Sequence, residues 1–225
     1  MAIGVDGWHD GWVGVRLGEG GQFEQAAVDA SLAKLLPRLG GADAIGVDMP
    51  LHLADAGRRD SDLAARNFLG GLRGRSVFAA PPAFVLERGW QGKSHHEVNL
   101  EMRRRYGIGL SRQAFALCPK IVQVNALLGN GAGIHEVHPE VTFAEMNGGR
   151  ALRFPKKSWG GQQERLALLA AAGIKIPTKL PAEVAAIPAD DLIDACAAAW
   201  SADRISRGEA RRFPPEESGI DAIWA

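Results

Sequence analysis

The chain has 225 residues and a mass of 24.0 kDa, with 46% apolar and 23% charged residues. This is the profile of one globular domain, or one domain carrying an insertion. Twenty-six basic residues balance 26 acidic ones, which argues against coating nucleic acid through bulk charge and leaves local patches open. No apolar run approaches membrane-span length, and the first residues enter a strand rather than a basic, apolar leader, so a cytoplasmic protein without membrane contact is expected.

Residues 2–28 read as three successive strands. The first, Ile3-Gly4-Val5-Asp6-Gly7, begins with β-formers and meets an acid and a glycine where the strand is expected to run out. Trp12 to Leu17 and Phe23 to Val28 follow, separated by the glycines between Gly18 and Gly21. Asp29 or Ser31 can cap a helix whose apolar face is Leu32, Leu35, Leu36 and Leu39, ended by Gly40-Gly41. The opening tetrapeptide then returns as Ile45-Gly46-Val47-Asp48, stopped by Met49-Pro50. The order β-β-β-α-β is that of ribonuclease H-like folds. The expected fold is therefore α/β, with a mixed five-stranded sheet flanked by helices.

A basic helical insertion is expected over 57–130, within a single domain spanning 1–225. Between residues 57 and 120 there are twelve Lys or Arg against five Asp or Glu. Helices are expected over Asp60 to Leu69, Ser94 to Tyr106 and Ser111 to Leu128, with an irregular stretch from Arg73 to Pro82. Arg103 to Arg105 read as a solvated helical face, whereas Arg75, Arg112 and Lys120 suit either a solvated surface or a phosphate contact. Trp8, Trp12, Phe78 and Phe84 are aromatic faces on which bases can stack, although burial is the commoner use of such side chains. Further on, Ile134 to His138 alternates as a strand stopped by Pro139, Gln162 to Ala172 reads as a helix, and Pro177 to Pro188 reads as linker. Asp190 is the expected N-cap of a final helix to Ser206, and a last short strand or turn is expected over Ile220 to Trp224. Cys118 and Cys196 lie in no metal or redox spacing and read as reduced packing residues.

The chemistry lies in the acids. Asp6, Asp48 and Glu136 each fall at or near a strand end, and Asp191 and Asp194 share a face of the final helix. Helix-dipole support, about 0.3–1 kcal/mol for each first-turn acid, accounts for Asp190 and Asp191 but poorly for Asp194, which adjoins the apolar stripe. Taken together the acids match an oxygen cage for Mg²⁺ or Mn²⁺, with Asp6, Asp48, Glu136 and Asp194 as ligands. Paired ions could activate water on one side of a phosphodiester and stabilise the leaving oxygen on the other. No Ser/His/Asp arrangement and no glycine-rich phosphate loop ending in Gly-Lys-Ser or Gly-Lys-Thr is present. His135 and His138, three apart on a strand, face opposite sides, and His138 before Pro139-Glu140 is the better site candidate.

These residues also carry a resemblance. Asp6-Gly7-Trp8 with Gly11-Trp12-Val13, Val47-Asp48-Met49-Pro50, the run Arg75 to Pro82, and Gly109 to Ala114 resemble the DUF429 family of predicted ribonuclease H-like nucleases. So do Cys118-Pro119-Lys120-Ile121, Glu136 to Glu140 and Asp191 to Ala195, in order across nearly the whole chain. The resemblance implies a metal-dependent nuclease whose first-strand, fourth-strand and last-helix acids are Asp6, Asp48, Asp191 and Asp194, with Glu136, Glu140 or Asp191 completing the metal site. It leaves Arg75, Arg112, Gln113, Lys120 and His138 as candidate contacts to substrate, with nucleic acid (RNA, DNA or a hybrid) the expected partner. Two other readings stand beside it. One is an actin-like-fold phosphotransferase or phosphohydrolase acting on a small phosphorylated substrate, which normally needs two such domains. The other is a nucleic-acid-binding module without turnover, for which clustered carboxylates would have no use.

Overall fold

The computed structural model describes residues 1–55, 59–128, 133–215 and 221–225. Strands β1 (Ala2–Trp8), β2 (Gly11–Leu17) and β3 (Phe23–Asp29) form an antiparallel meander. Helix α1 (Leu32–Leu39) carries the chain across to β4 (Ala44–Val47), which lies parallel to β1, and β5 (Ile134–Glu136) adds parallel to β4. The strand order β3-β2-β1-β4-β5 makes the expected mixed five-stranded sheet.

Between β4 and β5 come α2 (Asp60–Arg73), α3 (His95–Tyr106) and α4 (Arg112–Leu128). After β5 come α5 (Pro139–Met146), α6 (Trp159–Ala171), α7 (Ala182–Ala185) and α8 (Ala189–Ser206), then a two-stranded ribbon of β6 (Arg212–Phe213) and β7 (Ile223–Trp224). Among the described residues no helix is long and apolar enough to cross a membrane. Both ends of the expected 57–130 insertion, and Ile220, lie outside the described residues. Within that stretch Phe84, Val85, Val98, Met102, Leu110 and Ala114 form a separate apolar cluster. Arg104 and Arg105 are not merely solvated, because both donate to Glu101, and Arg105 also lies over the Phe84 ring.

Alternation along the strands decides the layers. Ile3, Val5, Ile45 and Val47 point to one face, where they pack with Leu32 and Leu35 of α1 and Ile121 and Val124 of α4. Val13, Val15 and Leu17 point to the other, against α8 and Leu169 of α6. Gly4 and Gly46 share that second face, and they are register partners. They leave room for the alanine run of α8. A Cβ built on Gly4 falls 2.0 Å from the Ala199 nitrogen and 2.2 Å from the Ala195 oxygen, and one on Gly46 falls 2.5 Å from the Ala198 oxygen. Glycine is thus required by close backbone approach rather than by a turn. Gly4→Ala is expected to cost about 1–3 kcal/mol or more in urea unfolding, Gly46→Ala less, and the open Gly41→Ala within about 0.5 kcal/mol. Equal midpoints for all three would contradict this packing.

Several boundaries differ from expectation. β1 runs on to Trp8 as a hairpin with β2, and only its parallel pairing with β4 stops at Val5. α8 starts one residue earlier than expected because Pro188, which lacks a backbone N–H, takes the N-cap position, placing Asp190 in the first turn. β5 stops at Glu136, and α5, which was not expected, begins at once, with Pro139 at N1 and Glu140 in its first turn. The Pro-rich stretch holds the short helix α7.

Candidate metal centre

The doubled Ile-Gly-Val-Asp is a geometric device. With Ile3 on Ile45, Gly4 on Gly46 and Val5 on Val47, the two acids that follow come out side by side, and the Asp48 N–H donates to the Val5 oxygen at 2.9 Å. By the two-residue period, Asp6 follows Gly4 and Asp48 follows Gly46 onto the face covered by α8. Asp194 lies on α8 one turn before Ala198, whose oxygen abuts Gly46. Close packing of glycine and alanine therefore brings the third acid to the other two. Asp6, Asp48 and Asp194 each offer a carboxylate oxygen, and those oxygens all lie within 4.8 Å of one another.

The three are crowded. Asp6 is 6% exposed and Asp194 2%. Asp6 accepts from the Gly7 N–H at 2.6 Å, yet burial and then the charges of Asp48 and Asp194 hold its pKa well above the usual carboxylate range. Burial likewise pushes Asp48 and Asp194 up to about 7, with Lys156 opposing the rise in both. The Lys156 ammonium donates to Asp194 Oδ2 at 2.6 Å and lies 3.8 Å from Asp190. Burial opposes the charge on Lys156, but Asp194 and Asp6 outweigh it and keep the ammonium protonated. Among the described residues Asp194 Oδ1 is buried without a hydrogen-bond partner. A buried carboxylate oxygen left bare is costly, and a hard cation is the partner this oxygen set fits.

The acids open into a cavity of about 540 Å³ whose lining includes Arg73, Phe78, His138, Lys156, Lys157 and Asp191. Asp191 therefore faces the site, its pKa raised by burial and then by Asp190, but it lies outside the group of three. Glu136, expected among the ligands, also borders the cavity but lies outside the group of three. Its two oxygens accept from the Arg59 fork at 2.7 Å each, and the Leu51 N–H adds a third bond at 2.9 Å. Burial raises the Glu136 carboxyl and Arg59 works against that rise, while the paired geometry suits the ionised form. Arg59 also holds Asp62 and approaches Asp221 at 3.6 Å, so one guanidinium ties β5 to the start of α2 and to the C-terminal ribbon. Glu140 pairs with Arg165 of α6.

His138 does reach the cavity. Among the described residues its Nδ1 is buried without a partner, and burial holds its pKa below the usual imidazole value. Lys120 comes near Asp6 but is committed to the hairpin, donating to the Gly11 oxygen at 2.5 Å and lying over the Trp12 ring. Arg112 and Gln113 are exposed at the start of α4 and are not among the residues lining this cavity. Arg75 borders a neighbouring pocket instead. Sequence reasoning missed Lys156 and Arg59. The only local signal for the first is Phe154-Pro155-Lys156-Lys157, and nothing near Arg59 names its partner 77 residues away.

Fold and site define an α/β protein with a mixed five-stranded sheet and three clustered acids, two buried and Asp48 half-buried, suited to a metal ion. The chain belongs to the DUF429 family, described as "Protein of unknown function (DUF429)", whose model matches residues 4–218. No curated protein and no solved structure matches it.

Proposed function

We propose that the protein is a metal-dependent nuclease that holds Mg²⁺ or Mn²⁺ on Asp6, Asp48 and Asp194 and hydrolyses phosphodiester bonds in nucleic acid. The observation that carries this reading is the convergence of three carboxylates on one point with the buried Asp194 Oδ1 unpartnered. The strand order β3-β2-β1-β4-β5, with acids on the first strand, just after the fourth and on the last long helix, supports a ribonuclease H-like arrangement. A divalent cation there would supply Lewis-acid stabilisation of phosphoryl oxygens and lower the pKa of water.

The surrounding side chains have separable tasks. Lys157 presents positive charge to the phosphate from the cavity wall, beside Arg73, whose Nε and Nη2 donate to the Leu152 and Arg153 oxygens. His138, held neutral by burial, has a free ring nitrogen with which to accept or relay a proton. Lys156 neutralises Asp194 while no cation is bound, and it is placed to turn to a phosphate oxygen once one is. Competition for Asp194 gives a direct prediction. Above neutral pH, Lys156→Met is expected to bind Mn²⁺ about tenfold tighter in calorimetry while cleaving more slowly, and the gain should shrink as the pH falls, because without the ammonium Asp48 and Asp194 keep their protons to higher pH. Unchanged or weaker binding would remove the competition.

The nuclease reading is tested by incubating end-labelled RNA, DNA and hybrid oligonucleotides with the protein in Mn²⁺ or EDTA. Cleavage in Mn²⁺ alone is expected. No cleavage of any of them, in a preparation that binds Mn²⁺ at the three acids, would sink the reading.

A further inference from the structure

A second pocket of about 610 Å³ lies beside the acid cavity, at the end of α2. No acid lines it. Its walls are Arg66, Asn67, Gly70, Gly71, Gly74 and Arg75, closed on the near side by Val77 and Phe78. Gly70 adopts φ +69°, which breaks the helical path, and a Cβ at Gly70 or Gly71 would meet nothing within 4 Å, so the backbone here is open to a ligand. Arg66 is fixed through its Nε to the Val77 oxygen at 2.5 Å. Arg75 is exposed, and among the described residues it has no hydrogen-bond or ion-pair partner.

Phe78 joins this pocket to the catalytic one. It is 41% exposed, and it borders the acid cavity, the arginine pocket and a third hollow toward Leu110. The three-acid cluster, the aromatic face of Phe78 and the two arginines thus follow one another across the surface. That succession matches the repeat of a polynucleotide strand: phosphate, base, phosphate. A base can lie on Phe78 only when its own stacking partners are absent, as in a single strand.

Building on the nuclease reading, we propose that the substrate is a single-stranded nucleic acid. Its scissile phosphate lies at Asp6, Asp48 and Asp194, the adjacent base stacks on Phe78, and the next phosphate is held by Arg66 and Arg75. Arg73, Lys156 and Lys157 continue the positive wall on the acid side of Phe78. Among the candidate phosphate contacts read from sequence, Arg75 is the one this path uses.

The test is fluorescence anisotropy of the full chain in EDTA with labelled dT12 and U12, and with a 12-base-pair duplex. The single strands are expected to bind at least about tenfold tighter than the duplex. Phe78→Ala is expected to weaken single-strand binding by about 5- to 150-fold. Arg75→Ala is expected to weaken it and to lower the slope of log K against log salt by about 0.7, the loss of one phosphate contact. Both side chains are exposed, and thermal melts matching wild type accompany the titrations. Wild-type strength in Phe78→Ala, an unchanged salt slope in Arg75→Ala, a preference for duplex or no binding by the wild-type chain would each overturn the proposal. Mn²⁺ calorimetry on the same variants separates the two readings. Normal Mn²⁺ uptake with strand binding indifferent to Phe78 and Arg75 removes this path and leaves the metal site standing. Absent Mn²⁺ uptake removes the metal site, while the EDTA titrations still decide the path.

Discussion

Asp48→Asn is expected to lose Mn²⁺ binding and to lower metal-dependent cleavage by about a thousandfold, the equivalent of roughly 4 kcal/mol of transition-state stabilisation. The same substitution is expected to leave the metal-free protein more stable than wild type at pH 8. Both effects have one cause. Folding takes Asp48 out of water, with Lys156 opposing and Glu136 and Asp191 adding to the effect, and its pKa rises from the ordinary 3.8 to about 7. A carboxyl whose pKa is raised by folding favours the fold below its unfolded value. That contribution is lost as the pH climbs through the folded value. Wild-type protein in EDTA is therefore expected to lose stability between pH 4 and 8 relative to Asp48→Asn. The difference in Tm should be about 2–4 °C for each kcal/mol relieved. Mn²⁺ should reverse the wild-type loss and do nothing for the variant, because the cation needs the ionised acids and displaces their protons. Identical melting curves across this range, with and without Mn²⁺, would mean that the acids neither repel nor bind.

Arg59→Ala is expected to cost about 3–5 kcal/mol in urea unfolding at pH 7, the largest stability effect of any single substitution considered. Arg59 is 5% exposed and its charge is answered by Glu136 and Asp62, both buried. Removing it leaves two carboxylates facing each other in the interior without a cation. Most of the loss should come from those uncompensated acids rather than from the missing bonds. Adding Glu136→Gln to Arg59→Ala is therefore expected to recover part of the loss, and the double variant should cost less than the two singles added together. Strict additivity would show that Arg59 and Glu136 act independently. Metal uptake by Glu136→Gln should be near wild type, because Glu136 holds the cavity wall and is not one of the three converging acids.

Much of the sheet was legible because strand patterning is local. Three strands, one helix and the returning Ile-Gly-Val-Asp could be read from apolar alternation and from the glycines that end each segment, and so could the pairing of Asp6 with Asp48. The shift of the α8 N-cap to Pro188 and the missed α5 are boundary effects. Both are set by prolines whose local pattern fits a turn as well as a helix.

What the sequence by itself determined is which acids could meet, since identical tetrapeptides in register must deliver their aspartates to the same sheet edge and face. Only the tertiary structure decided which of the remaining charges pair. Arg59, 77 residues from Glu136, donates to both of its oxygens, and Lys156 reaches the site from 38 residues before Asp194. Period and propensity describe a residue's near neighbours along the chain. The partner of a buried charge is set by which elements pack together, and here that packing depends on two glycines letting an alanine-rich helix approach the sheet.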